Sequence, residues 1–128
     1  MEQELRRLPD AELEVMQALW ERKDYPVSSA EIMEGVAGKR WQAATLLKLL
    51  SRLEERGFVQ REKDGRSNLY RPLVSKHDYL AVESRSFLER LHGGSLPSLV
   101  AALVDSRAIG AEDIAELEEL LRTKEGEA

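Results

Sequence analysis

Gln42, Thr45, Lys48 and Arg52 recur at three- and four-residue intervals, and Lys63 and Arg66 flank an Asp64-Gly65 pair. Side chains of these types on one surface address nucleic acid. Glutamine pairs with an adenine edge and lysine with guanine, while threonine also touches a thymine methyl. Arg52, farther along the run, suits phosphate, and Arg40 joins these candidates from just ahead of it. A bland reading exists, because Lys48 and Arg52 at i, i+4 are what any solvated helix face shows. The second cluster tips the balance: Lys63 and Arg66 at a turn tip pack poorly but probe phosphate or a minor groove well.

Nothing comparable supports catalysis. His77 and His92 are far apart, lack acidic or cysteine partners at ligand spacing, and read as surface helix residues. No G-x-S-x-G, P-loop or G-x-G-x-x-G occurs. The acids Glu112, Asp113, Glu116, Glu118 and Glu119 read as the first turn and solvated face of a helix, where they complement the dipole. The expectation is a binding protein without enzyme activity, cofactor or metal.

The elements that must position these residues follow from pattern. Residues 11–20 space Leu13, Met16, Ala18, Leu19 and Trp20 as a helix, with Glu12, Glu14 and Gln17 between, and Pro26 lies beyond its end. Ser28 and Glu31 form an S-x-x-E capping box, with Val27 and Ile32 as its hydrophobic staple. That second helix should run about three turns before Gly35 and Gly38. In the third, Leu46, Leu49, Leu50 and Leu53 make one apolar stripe and Gly57 supplies the left-handed terminator. On its wheel the side opposite the stripe holds Ala44, Lys48, Ser51 and Glu55, with Thr45 and Arg52 on one flank and Leu47 on the other. FVQREK and RSNLYRP about Asp64-Gly65 then read as a two-stranded hairpin with a type I′ turn. Three helices and a basic hairpin make a winged helix-turn-helix, whose third helix enters the major groove by its N-terminal half.

Three more amphipathic helices follow. One begins at Ser75 and ends at Gly93-Gly94, the next is capped by Ser95, and the last starts at Gly110, with a frayed tail TKEGEA. These helices are too small to bury their apolar faces alone, and a second copy is the economical cover, giving a two-fold dimer suited to a palindromic site. The expected fold is mainly α: a winged helix-turn-helix DNA-binding domain over residues 1–73 and a three-helix dimerisation domain over 74–128.

Charge distribution agrees with this. The net charge is −5, but residues 38–71 hold 9 basic and 4 acidic side chains between two acid-rich flanks. Phosphate contact depends on that local field. The absence of cysteine excludes disulfide frameworks and thiolate metal sites. MEQELRRLPD lacks the apolar core of a signal peptide, and the run LVAALV is far short of the ~20 residues that span a bilayer. A soluble, cytoplasmic protein without membrane insertion is expected.

The runs LPDAELEVMQALW, RWQAATLLKLLSRLEERGFV, DGRSNLYRPLVSKHDYL, ESRSFLERLHGGSLPSLVAALV and AEDIAELEELL, in this order, resemble the penicillinase-repressor (BlaI/MecI/CopY) family. The combination of AELEVM, the wing G-R-x-x-x-Y-x-P and S-F-L-x-R carries the resemblance, over roughly residues 8–121. It implies a homodimeric transcriptional repressor on double-stranded DNA, a palindromic operator with TACA/TGTA half-sites, and a regulatory protease or membrane sensor system as a further partner. It places the recognition helix at 42–56, the wing at 63–67, and dimer contacts at Tyr79, Val82, Phe87, Leu88, Leu91, Leu99, Val100, Leu103, Ile114 and Leu117.

Three departures from the family pattern matter. No cysteine is present for the copper-sensing motif, and the Asn-Phe cleavage pair is replaced by Ala102-Leu103. Ala44 and Leu47 stand where the family often has polar residues, which points to a different operator preference. A leucine on the reading helix also suits a protein groove. The alternative reading is therefore a winged-helix protein–protein interaction module without sequence-specific DNA binding.

Overall fold

The computed structural model describes residues 7–36, 38 and 40–127; Lys39, counted among the basic residues above, lies outside them. The elements are α1 (Asp10–Trp20), β1 (Val27–Ser28), α2 (Ser29–Gly35), α3 (Ala43–Glu55), β2 (Val59–Asp64), β3 (Ser67–Pro72), α4 (Lys76–His92), α5 (Leu96–Asp105) and α6 (Ala111–Glu127). The architecture is the expected one, mainly helical with a winged helix-turn-helix at its start. The chain divides into two compact units between Glu83 and Ser84, ten residues beyond the 73/74 boundary read from the sequence.

In the first unit, α1 buries Val15, Met16 and Leu19, while Leu13 and Trp20 pack partly buried against the core. Glu12, one of the polar residues between the apolar positions, is buried. The capping box is complete: Ser28 Oγ accepts from the Glu31 amide and Glu31 Oε1 accepts from the Ser28 amide. Both staple residues, Val27 and Ile32, are buried. At 7 residues α2 is about two turns, shorter than expected. A Cβ on Gly35 would lie 2.8 Å from Ala18 Cβ, so glycine lets α2 close against α1.

The stripe Leu46, Leu49, Leu50 and Leu53 is buried throughout. Gly57 (φ 80°) ends α3 in a Schellman motif, in which its amide donates to Glu54 and that of Phe58 to Leu53. The wing corrects the sequence reading twice. It is a three-stranded antiparallel sheet, order β1-β3-β2, because Val27 and Ser28 pair with Tyr70 and Leu69. The turn is also displaced by one residue. Asp64 pairs with Ser67, leaving Gly65-Arg66 as the loop, and of these two only Gly65 has positive φ. A glycine alone at the first central position is the type II′ pattern, not I′.

Tyr79, on the first turn of α4, completes this core. Its ring lies 5.8 Å from Trp20 and 5.7 Å from Phe58, and its hydroxyl accepts from the Leu8 amide at 2.8 Å. Trp20 Nε1 donates to the Val74 carbonyl. These contacts are why the first unit extends into α4.

The second unit is built from capped helices without a buried centre. Its cap anticipated at Ser95 is formed, the amide of Ser98 donating to it, as is the one at Ser75 in the first unit, where the amide of Asp78 donates. Gly93 and Gly94 both take positive φ after α4. Of the tail read as frayed, residues 123–127 continue α6, with the Arg122–Glu119 pair and Thr123 Oγ1 donating to the Glu119 carbonyl, and Ala128 lies outside the described residues. Among the described residues from Ser84 onward, none is buried. No helix among the described residues is long and apolar enough to cross a membrane.

Candidate nucleic-acid interface

The leucine stripe of α3 is held against α1, so the opposite side of the helix must face outward. Gln42, Thr45, Lys48 and Arg52 are all exposed. Gln42 occupies the N-cap position with extended backbone (φ −83°, ψ 158°), yet its side chain makes no capping bond and is available to a ligand. The first turn of α3 holds no acid, which leaves the positive end of the helix dipole uncompensated by side chains. Arg40, exposed ahead of this turn, takes the left-handed region at φ 56°. On the wing, Lys63 ends its strand beside the turn and Arg66 sits in the turn itself, both exposed.

Ion pairing sorts the cations of this segment. Arg56 is 2.7 Å from Glu12, Arg61 is 3.3 Å from Glu54, and Arg71 is 2.7 Å from Glu62. Those three hold the fold's own carboxylates. Arg40, Lys48, Arg52, Lys63 and Arg66 pair with no carboxylate among the described residues. The five cations nominated from sequence are therefore the ones whose charge is left for a partner. Arg61, which the sequence places beside Lys63 on the basic hairpin, is partly neutralised.

The dimer candidates fall into three groups. Tyr79 is a correction: it is buried in the first unit's core and has no surface to offer a partner. Val82, Phe87 and Leu91 are exposed. Leu88, Leu99, Val100, Leu103, Ile114 and Leu117 are half-buried. Leu96 and Val104 are also exposed and were not singled out, although both belong to the apolar run of α5. Ala102 and Leu103, which the family resemblance sets at a cleavage position, lie inside α5.

His77 is exposed, whereas His92 is half-buried: its Nδ1 lies 2.9 Å from Ser98 Oγ and its ring 5.9 Å from that of Phe87. Among the described residues no group of three or more His, Cys, Asp or Glu side chains is arranged to hold a metal.

Comparison with known proteins gives the same picture. The family model described as penicillinase repressor matches residues 8–123. The penicillinase repressor of Bacillus licheniformis is 33% identical over 116 residues, covering 90% of this chain and 89% of the relative. The methicillin resistance regulatory protein MecI of Staphylococcus aureus (strain N315) is 31% identical over 124 residues, 97% of this chain and all of the relative. Among solved structures, the DNA binding domain of the repressor BlaI aligns with TM-score 0.50 and 28% identity, over 61% of this chain and 94% of that one. With fold, family model and relatives in agreement, the chain belongs to the penicillinase repressor family of winged-helix, DNA-binding transcriptional repressors.

Proposed function

We propose that the chain is a homodimeric repressor that binds a palindromic operator with TACA/TGTA-like half-sites and leaves it on an inducing signal. Thr45 and Lys48 on α3, with Gln42 at its N-cap, address base edges. Arg52 and Arg40 take phosphate, and Lys63 and Arg66 follow the backbone or minor groove from the wing. The observation that carries this reading is the set of five unpaired cations on α3, its approach and the wing. Dimerisation is assigned to the second unit, whose described residues supply no buried centre of their own.

One observation favours the alternative, an interaction module that does not read DNA: Leu47 is 43% exposed on the reading helix. Titration of a fluorescent duplex carrying inverted TACA/TGTA half-sites, against a scrambled duplex, at about 50 and about 200 mM salt separates the two. Sequence preference with a steep loss of affinity at the higher salt supports the repressor. No binding at low salt overturns it in favour of the module.

A further inference from the structure

Leu47 is not a misplaced core residue. The four stripe leucines of α3 are at most 6% exposed, whereas Leu47 stands 43% exposed. On a 100° wheel the side opposite the stripe carries Ala44, Lys48 and Ser51, with Leu47 bordering it next to Ala44 and Ser51. Ala44 and Leu47, one turn apart, thus make a small apolar strip in the N-terminal half of the helix, beside Lys48.

The charge around this strip limits what can cover it. An apolar protein groove wide enough to cover both Ala44 and Leu47 would also strip water from unpaired Lys48, which borders Ala44 on the wheel and has no carboxylate of its own, and burying unpaired charge is costly. The major groove of DNA offers both surfaces at once: thymine 5-methyl groups at the base edges and phosphates along both rims. Alanine one turn earlier keeps the helix slim where it must come closest to the bases.

We propose that Ala44 and Leu47 read thymine by contact with its 5-methyl group, so that α3 recognises its site partly by apolar complementarity rather than by hydrogen bonds alone. This rests on the proposed operator binding and names the base feature recognised. It gives the exposed leucine a role in DNA recognition.

Replacing thymines of the TACA/TGTA duplex one symmetric pair at a time by 2′-deoxyuridine removes only the methyl and keeps the base pairing. For the full chain, at least one such replacement should weaken binding by about fourfold per half-site, the factor for withdrawing one buried CH₂-sized group. In Leu47→Ala the same replacement should cost less than about half that factor, because the contact is already shortened. As Leu47 is exposed, the variant should retain its helical circular dichroism and melting curve, which are recorded alongside. Equal uracil penalties in both proteins, or none at any position, overturn methyl reading while the preference over a scrambled duplex stands. Loss of that preference in the unaltered chain overturns the operator reading and this inference together.

Discussion

The carboxylate of Glu12 lies 2.7 Å from Nε of Arg56, joining the first turn of α1 to the residue that caps α3. Glu12 is 2% exposed and Arg56 is 40% exposed, so the two ends of this pair differ in what they lose when it breaks. Truncating the arginine strands a buried carboxylate, whereas neutralising the acid leaves a guanidinium that water can still reach. Arg56→Ala should therefore destabilise by about 3 kcal/mol and Glu12→Gln by about 1 kcal/mol. Urea denaturation of both variants measures the order; a Glu12→Gln loss as large as that of Arg56→Ala would contradict it.

The division of the cations predicts an unequal response to truncation. Lys48→Ala and Arg66→Ala should each weaken operator binding, and where a phosphate contact is lost the salt slope should fall by about one unit. Arg61→Ala should do less, since Glu54 at 3.3 Å already partly neutralises that charge. Anisotropy titrations across a salt series compare the three. If Arg61→Ala matched the other two in affinity and slope, ion pairing within the fold would not be what selects the DNA-facing cations.

The capping box gives a pH dependence with a definite sign. The Ser28 amide, then the Ser28 hydroxyl, hydrogen-bond the Glu31 carboxylate and hold its pKa below the ordinary 4.5; desolvation opposes them, and the charge of Arg22 adds last to the lowering. A folded value below the unfolded one stabilises the native state above pH 4.5 and loses that contribution as pH falls through the folded value. Ser28→Ala should cost about 1 kcal/mol at neutral pH as a lost cap. It should also flatten the acid limb of the stability curve in part, because the hydroxyl's share of the shift is lost while the amide of residue 28 still donates to Glu31. Parallel curves for the two proteins between neutral and acid pH would show that the Ser28 hydroxyl plays no part in holding the Glu31 carboxylate ionised.

What the sequence disclosed and what it hid divide by the range of the interaction. Ser28 with Glu31, the α3 leucines, and Gly57 all act within one or two helical turns, and each stands where pattern put it. β1 is two residues long and becomes a strand only because Tyr70 and Leu69 lie opposite. Glu12 sits among apolar neighbours with no local mark of its partner 44 positions away. The turn at Gly65-Arg66 depended on strand register, so the D-G signal located the hairpin but not its type. The cations as a group were visible in composition. Which of them α1, α3 and β2 would neutralise was not, because Glu12, Glu54 and Glu62 reach them only through tertiary packing and strand pairing.

Tyr79 and Leu91 lie on the same helix, and they should separate folding from association. Tyr79 is spent inside the first unit, where its hydroxyl accepts from the Leu8 amide. Tyr79→Phe leaves that amide unpaired in a buried setting and should lower stability by about 1–2 kcal/mol without changing the association state. Leu91 is 64% exposed, and the second unit has no buried residue among those described. Its apolar side chains therefore gain most from a second copy. Leu91→Asp, or Leu120→Asp at an exposed leucine of α6 one turn beyond Leu117, would place a charge in that interface and should shift sedimentation from dimer toward monomer. Operator binding should fall with it, because a monomer holds one reading helix and a palindrome needs two. Sedimentation velocity on all three variants decides the matter. A dimer that survives both aspartates, or one that dissociates in Tyr79→Phe, would move the interface away from the faces of α4 and α6 assigned to it.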